Sequence, residues 1–201
     1  MNVPVYGHLR LHFQENPITV FFPFLQNGFY VEINAGNILD TLCESCDLGR
    51  EKVRQRIQTI FLNGKPVDDI GTAGVQDGDC LALSAAMPGL VGATMRSGGV
   101  LASFRHSISH RSEVPQSGAR GGLLSIKLFN LLIKEMGPRF LERGVLVASD
   151  TLQDLLRAIT EAEWMHCKRV EFNDREINCN ALTKMELPTG PGYVHLEVTF
   201  G

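Results

Sequence analysis

Cys43 and Cys46, in Cys43-Glu44-Ser45-Cys46, have the spacing most suited to chemistry in this sequence. A CxxC supplies half of a zinc site or a dithiol redox pair. A redox pair works best at a helix N-terminus, where the dipole favours thiolate. Here the pair falls toward a helix end, because Leu39, Leu42, Cys43 and Cys46 share one helical face. Leu152, Leu155, Leu156 and Ile159 repeat that spacing in phase. The two cysteines therefore stand where a second copy carries core aliphatics, and free cysteine packs as a small hydrophobe. Core packing is the favoured reading, with metal binding or redox chemistry as the alternatives.

Three other sets of residues invite a chemical reading. His8 and His12 share one face of a strand but lie far apart on it, and His106 and His110 would share a face if helical. Flanking arginines disfavour a cation at the second pair, and His166-Cys167 has no evident partner. Asp68-Asp69 and Asp77-Gly78-Asp79 fall on turns, which capping and turn formation explain. Arg96, Arg105, Arg111 and Arg120 stand against Glu113 alone in residues 86–122. Guanidinium groups pair bidentately with carboxylate or phosphate, so these arginines are candidates for an anion or an acidic partner. The competing reading packs this segment across the acidic surfaces of the chain's own domains. No P-loop, dinucleotide fingerprint or nucleophile elbow occurs, and no cofactor is expected.

The elements that would position these groups come as a duplication. Ile60-Phe61-Leu62-Asn63-Gly64-Lys65-Pro66-Val67-Asp68 recurs as Val170-Glu171-Phe172-Asn173-Asp174-Arg175-Glu176-Ile177-Asn178. Both copies read as a strand, a two-residue turn suited to positive φ, and a return strand. In the first unit, residues 18–22 read as a strand, Pro23 as a bend and residues 29–33 as the return. A helix capped by Asn37 follows, then a basic loop or last helical turn over 49–58, the hairpin, and a last strand over 80–83. In the second unit, residues 125–132 read as a strand broken at Met136-Gly137-Pro138-Arg139, and residues 144–147 as the return. Then come a helix capped by Asp150 with Gln153 three residues on, the hairpin, and a final strand over 193–200. The expected division is an N-terminal arm over 1–16, domains over 17–85 and 123–201, and a connecting segment over 86–122 rich in glycine and arginine.

The order ββ-α-ββ, with one helix crossing a mixed sheet, resembles the β-grasp or ubiquitin-like fold. The expected class is α+β, two β-grasp units in tandem. Phe61-Leu62-Asn63-Gly64-Lys65-Pro66-Val67 and Val75-Gln76-Asp77-Gly78-Asp79-Cys80-Leu81-Ala82-Leu83 make the first unit similar to the sulfur-carrier branch, the molybdopterin-synthase small subunit and the thiamine-pathway carrier. Those carriers end in Gly-Gly with an activated carboxylate. This sequence ends in Val198-Thr199-Phe200-Gly201, and its Gly98-Gly99 is internal. The resemblance implies contact with a protein partner through a sheet face. It also implies the alternative of a sulfur-carrier-like accessory protein processed or activated at Gly99, with Gly98 and Gly99 as the candidate carrier glycines.

Composition narrows the classes. With 201 residues, 44% hydrophobic and a net charge of −3, the chain can build a core and carries no global basic field. Nucleic acid and an anionic membrane are therefore not expected as partners. No apolar run is long enough for a transmembrane helix, and the start lacks a signal-peptide pattern. Five cysteines fit reduced thiols in the cytoplasm. The sequence thus points away from an enzyme and toward a cytoplasmic binding or scaffold protein with an unidentified protein partner.

Overall fold

A computed structural model of the chain describes residues 4–34, 36–85, 121–188 and 190–201. Arg96, Arg105, Arg111 and Arg120, Gly98 and Gly99, and His106 and His110 lie outside the described residues. The first described element is the strand β1 (Val5–Phe13), whose alternation buries Leu9, Leu11 and Phe13 on one side. The alternation of residues 8–13, within the expected arm, reads as a strand or an extended segment. They do form a strand, but β1 is an inner one, antiparallel to β10 (Cys167–Phe172) on one side and parallel to β12 (Tyr193–Phe200) on the other.

Residues 18–22 form no strand. Val20 and Phe21 donate to the carbonyls of Pro17 and Ile18 in a turn, and the helix α1 (Phe22–Asn27) follows. Pro23 suits a first helical turn, where its missing N–H has no intrahelical bond to lose. Ile18, Phe21, Phe24 and Leu25 are buried at helical rather than strand spacing. After β2 (Phe29–Ile33) and the short β3 (Gly36–Asn37) comes α2 (Ile38–Cys46). Asn37 caps α2 as expected, its side chain accepting the Asp40 N–H at 2.8 Å. The basic segment over 49–58, expected as a loop or a last helical turn, holds a separate helix, α3 (Arg50–Arg56), anchored by buried Val53. Next come β4 (Thr59–Leu62), β5 (Lys65–Pro66), β6 (Gly74–Val75) and β7 (Cys80–Ser84).

The second half opens with β8 (Gly122–Phe129) and α4 (Leu131–Arg143). Pro138, expected to break a strand, lies inside α4. Leu132, Ile133, Met136, Phe140 and Leu141 give α4 a buried stripe that outweighs the bond lost at the exposed Lys134 carbonyl. A Cβ on Gly137 would meet Leu25 at 2.8 Å and Ile18 at 2.9 Å, so this glycine lets α4 lie against the α1 region. β9 (Val145–Ala148) leads into α5 (Ser149–Ala158). Asp150 is not the cap expected there: Ala148 holds that place, and Gln153 accepts the Leu187 N–H at 3.0 Å. The capping box lies one helix later, where Thr160 and Glu163 close α6 (Glu161–Trp164). β10, β11 (Arg175–Ile177), α7 (Cys179–Lys184) and β12 complete the chain.

Ten strands form one mixed sheet in the order β11-β10-β1-β12-β9-β2-β8-β7-β4-β5, and β3 and β6 pair separately. The fold is mixed α+β with a large mixed sheet. The expected boundary between units does not divide that sheet. β8, from the second half of the sequence, lies between β2 and β7, while β1, from the first half, lies between β10 and β12. The apolar side chains buried by every described helix join the inward side chains of the strands in one cluster. The described helices therefore stand on one face of the sheet. The opposite face is where exposed and half-buried polar groups gather.

Candidate functional site

The two hairpin turns set the frame of that opposite face. Asn63 and Gly64 have φ of 50° and 76°, and Asn173 and Asp174 have 50° and 59°, the left-handed values that two-residue turns need. Each asparagine reaches to the neighbouring strand. The Asn63 carbonyl oxygen Oδ1 accepts the Cys80 N–H, and Asn63 N–H donates to the Cys80 carbonyl, both at 2.9 Å. Asn173 makes the same two contacts with His8, again at 2.9 Å.

Between these turns one row of residues crosses the sheet. His8 pairs with His195, His195 with Leu146, Leu146 with Tyr30, Tyr30 with Ser125, and Ser125 with Cys80. The two halves join at the middle of this row, where Tyr30 and Leu146 are the described residue pair between β2 and β9. Beyond that pair the two strands part, and a cleft of about 590 Å³ opens. His8, Tyr30, Glu32, Glu44, Arg143 and His195 are among its lining.

Several side chains fix the shape of this cleft. Gly144 has φ of 91°, and a Cβ there would stand 2.2 Å from His195 Cε1, so the imidazole occupies space that only glycine leaves. The His8 and His195 rings lie 5.0 Å apart. Burial first, and then the neighbouring His8, lower the His195 pKa, against the opposing pull of Glu197 and Glu32. Tyr30 and Tyr193 meet edge to face at 5.0 Å. Leu146 is 4% exposed yet lies outside the helix-side cluster, so this face has a buried apolar residue of its own. Glu32, Glu44 and Arg143, which bring charge of both signs to the cleft, make no hydrogen bond or ion pair among the described residues, although Glu32 acts on the His195 imidazole.

Beside the cleft the charges are paired. Arg10 reaches Asp174 at 2.7 Å, Glu197 at 3.4 Å and Glu171 at 3.7 Å, and its pKa is raised by the Asp174 hydrogen bond foremost. Arg169 bridges Glu171 and Glu176. Such exposed pairs contribute little stability, but they fix the charge pattern of the surface.

The residues singled out in the sequence are dispersed. Cys46 is fully buried and its thiol donates to the Leu42 carbonyl at 2.8 Å. Burial raises the thiols of both Cys43 and Cys46, the latter to about 12, opposite to what a redox pair needs. No group of three or more metal-ligating residues occurs among the described residues. His8 and His12 are each engaged elsewhere, His12 Nδ1 lying 2.9 Å from Thr199 Oγ1. Asp79 receives the Asn63 amide at 2.7 Å and the Gln76 N–H at 2.9 Å, and Asp77 receives the Leu123 N–H at 2.8 Å. The Asp77 carboxylate thus ties the start of β8 to the turn before β7, and the Asp79 carboxylate ties that turn to the first hairpin, roles not foreseen beyond turn formation. Sequence reading missed His195, Tyr30 and Glu32, because only strand pairing brings them together. The alternation of 193–200 is the signal that could have placed His195 on the outer face.

No protein-family model matches the chain, and neither does any curated protein or solved structure.

Proposed function

We propose that this protein is a non-enzymatic binding module of ubiquitin-like type, built from two β-grasp units that exchange strands. It engages a protein partner through the sheet face around the cleft between β2 and β9. One observation carries the reading. Where β2 and β9 part, imidazole and phenol groups of the outer sheet face meet Glu32, Glu44 of α2 and Arg143 at the end of α4 around a cleft of about 590 Å³, with no hydrogen-bonded nucleophile, base and carboxylate triad among the described residues. Half-buried aromatic groups bordered by charge are the composition that protein interfaces favour. The β-grasp element of the proposal is supported by a mixed five-stranded arrangement in each half and by the paired asparagine turns. A cytoplasmic setting, expected from the cysteine usage, belongs to the same proposal.

The test is native mass spectrometry of the full chain purified from its own cells without chelator. A co-purifying protein that is lost from Arg10→Glu and Glu32→Lys variants, both altered on the outer face, supports the reading. Turnover of a small molecule, or a partner indifferent to both variants, overturns it. A chain cut between Gly99 and Val100, or one sulfur added to the N-terminal piece, would favour the carrier alternative instead.

A further inference from the structure

Cys167 and Cys179 are brought together by an irregularity in β10. Along β1, His12 faces Arg169 while Phe13 faces Cys167, so Lys168 is an extra residue in the β10 ladder. The shift places Cys167 on the side of buried Phe13 and Val170 rather than on the outer face with Arg169. β10 returns through β11 with Val170 opposite Ile177, and the chain turns at Asn178 into α7, whose first residue is Cys179. Both cysteines pack at the margin of the core, both are half-buried, and both line one surface hollow of about 470 Å³. They bracket the hairpin that carries Asn173, the residue holding His8.

We propose that Cys167 and Cys179 are an oxidation site that closes a reversible disulfide across the base of the β10–β11 hairpin. The oxidant is a hydroperoxide reaching the pair through the hollow. The thiolate of Cys179 attacks one peroxide oxygen, the O–O bond breaks, and water or an alcohol leaves as Cys179 becomes a sulfenic acid. The Cys167 sulfur then attacks the sulfenic sulfur, the S–S bond forms, and the sulfenic oxygen leaves as water. Two thiols are oxidised by two electrons, and the peroxide is reduced by the same two. Burial, followed by Cys179 itself, raises the Cys167 thiol to about 11, which makes Cys167 a poor first nucleophile and suits it to the second step. Closure would tether the hairpin that bears Asn173, Asp174 and Glu171. The inference stands independently of the proposed binding function.

The test treats the reduced full-length protein with hydrogen peroxide, blocks remaining thiols, and maps tryptic peptides. Cleavage after Arg157, Lys168, Arg175 and Lys184 separates Cys167 and Cys179 into peptides 158–168 and 176–184. The expected product is these two peptides joined, with a loss of about 2 Da from the intact chain that dithiothreitol reverses. Formation should accelerate as pH rises. Cys167→Ser and Cys179→Ser should each abolish the cross-link, and Cys46→Ala should leave it in place. Hydrogen exchange over residues 170–178 should slow in the oxidised form. Unlinked sulfinic products at the two cysteines, no oxidation of either, or a cross-link from either to Cys80 would overturn the proposal, and the wild-type map alone decides this if a variant fails to fold.

Discussion

The His8 N–H donates to Asn173 Oδ1 at 2.9 Å, and the His8 carbonyl accepts the Asn173 N–H at the same distance. This clasp joins the first described strand to the last hairpin, 165 residues apart in sequence. It copies the contact between Asn63 and Cys80, although Cys80 belongs to the same sequence unit as its partner and His8 does not. β1 thus takes, beside the second hairpin, the position that β7 takes beside the first.

Asn173→Ala should therefore lower stability by about 1–3 kcal/mol, from the lost hydrogen bond and the cost of alanine at positive φ. Asn173→Gly avoids the backbone cost but still lacks the side-chain acceptor, so it should fall between wild type and alanine. Chemical denaturation midpoints check the order. Equal midpoints for all three would mean that β1 is held without the clasp.

Gly144 and His195 should behave as one unit. Gly144→Ala forces both a left-handed alanine and a collision with the imidazole, because its Cβ would lie 2.2 Å from Cε1. The backbone part alone costs about 1–3 kcal/mol. The double variant Gly144→Ala with His195→Ala removes the collision and keeps the strain, so it should recover part of the loss. A thermodynamic cycle measures the coupling, and additive losses would show that the ring shifts aside freely.

His195 gives stability a defined pH dependence. Its folded pKa lies below the ordinary histidine value because of burial and then His8. Below about 6.5 the unfolded chain takes up the proton first, so the folded state loses its advantage as pH falls from there toward the folded pKa. Above that unfolded value the contribution is fully present. Denaturation from pH 8 to 5 should show a decline that is shallower in His195→Asn. Parallel curves would place the titration elsewhere.

What the sequence showed and what it hid divide by range. Residues 29–33 and 193–200 were read as strands, and both hairpin turns were read from Asn-Gly and Asn-Asp, since alternation and turn chemistry are local. Asn37 capped α2 as read. The helices α1 and α4 were lost to Pro23 and Pro138, which act as breakers in isolation but are carried here by buried stripes. The exchange of β1 and β8 between the halves is a matter of long-range pairing that no local signal encodes. For the same reason His8 could be weighed against His12 but not against His195, and Cys167 found no partner until the β10 irregularity set it near Cys179.

Cys46 provides the remaining test, because its environment separates packing from chemistry. Its side chain is fully buried, its thiol donates to the Leu42 carbonyl at 2.8 Å, and burial raises its pKa to about 12. At pH 8 almost none of it is thiolate, and the helix leaves no path for a reagent. Iodoacetamide on the native chain should therefore label Cys46 far more slowly than Cys80, which is partly exposed. Denaturant should remove the difference. Cys46→Ser places a more polar group in the same apolar site and should cost about 1–3 kcal/mol, while Cys46→Ala should cost less than the serine. Rapid native labelling of Cys46, or zinc bound in a ratio that falls with Cys46→Ala, would return the CxxC to chemistry and end its assignment to the core.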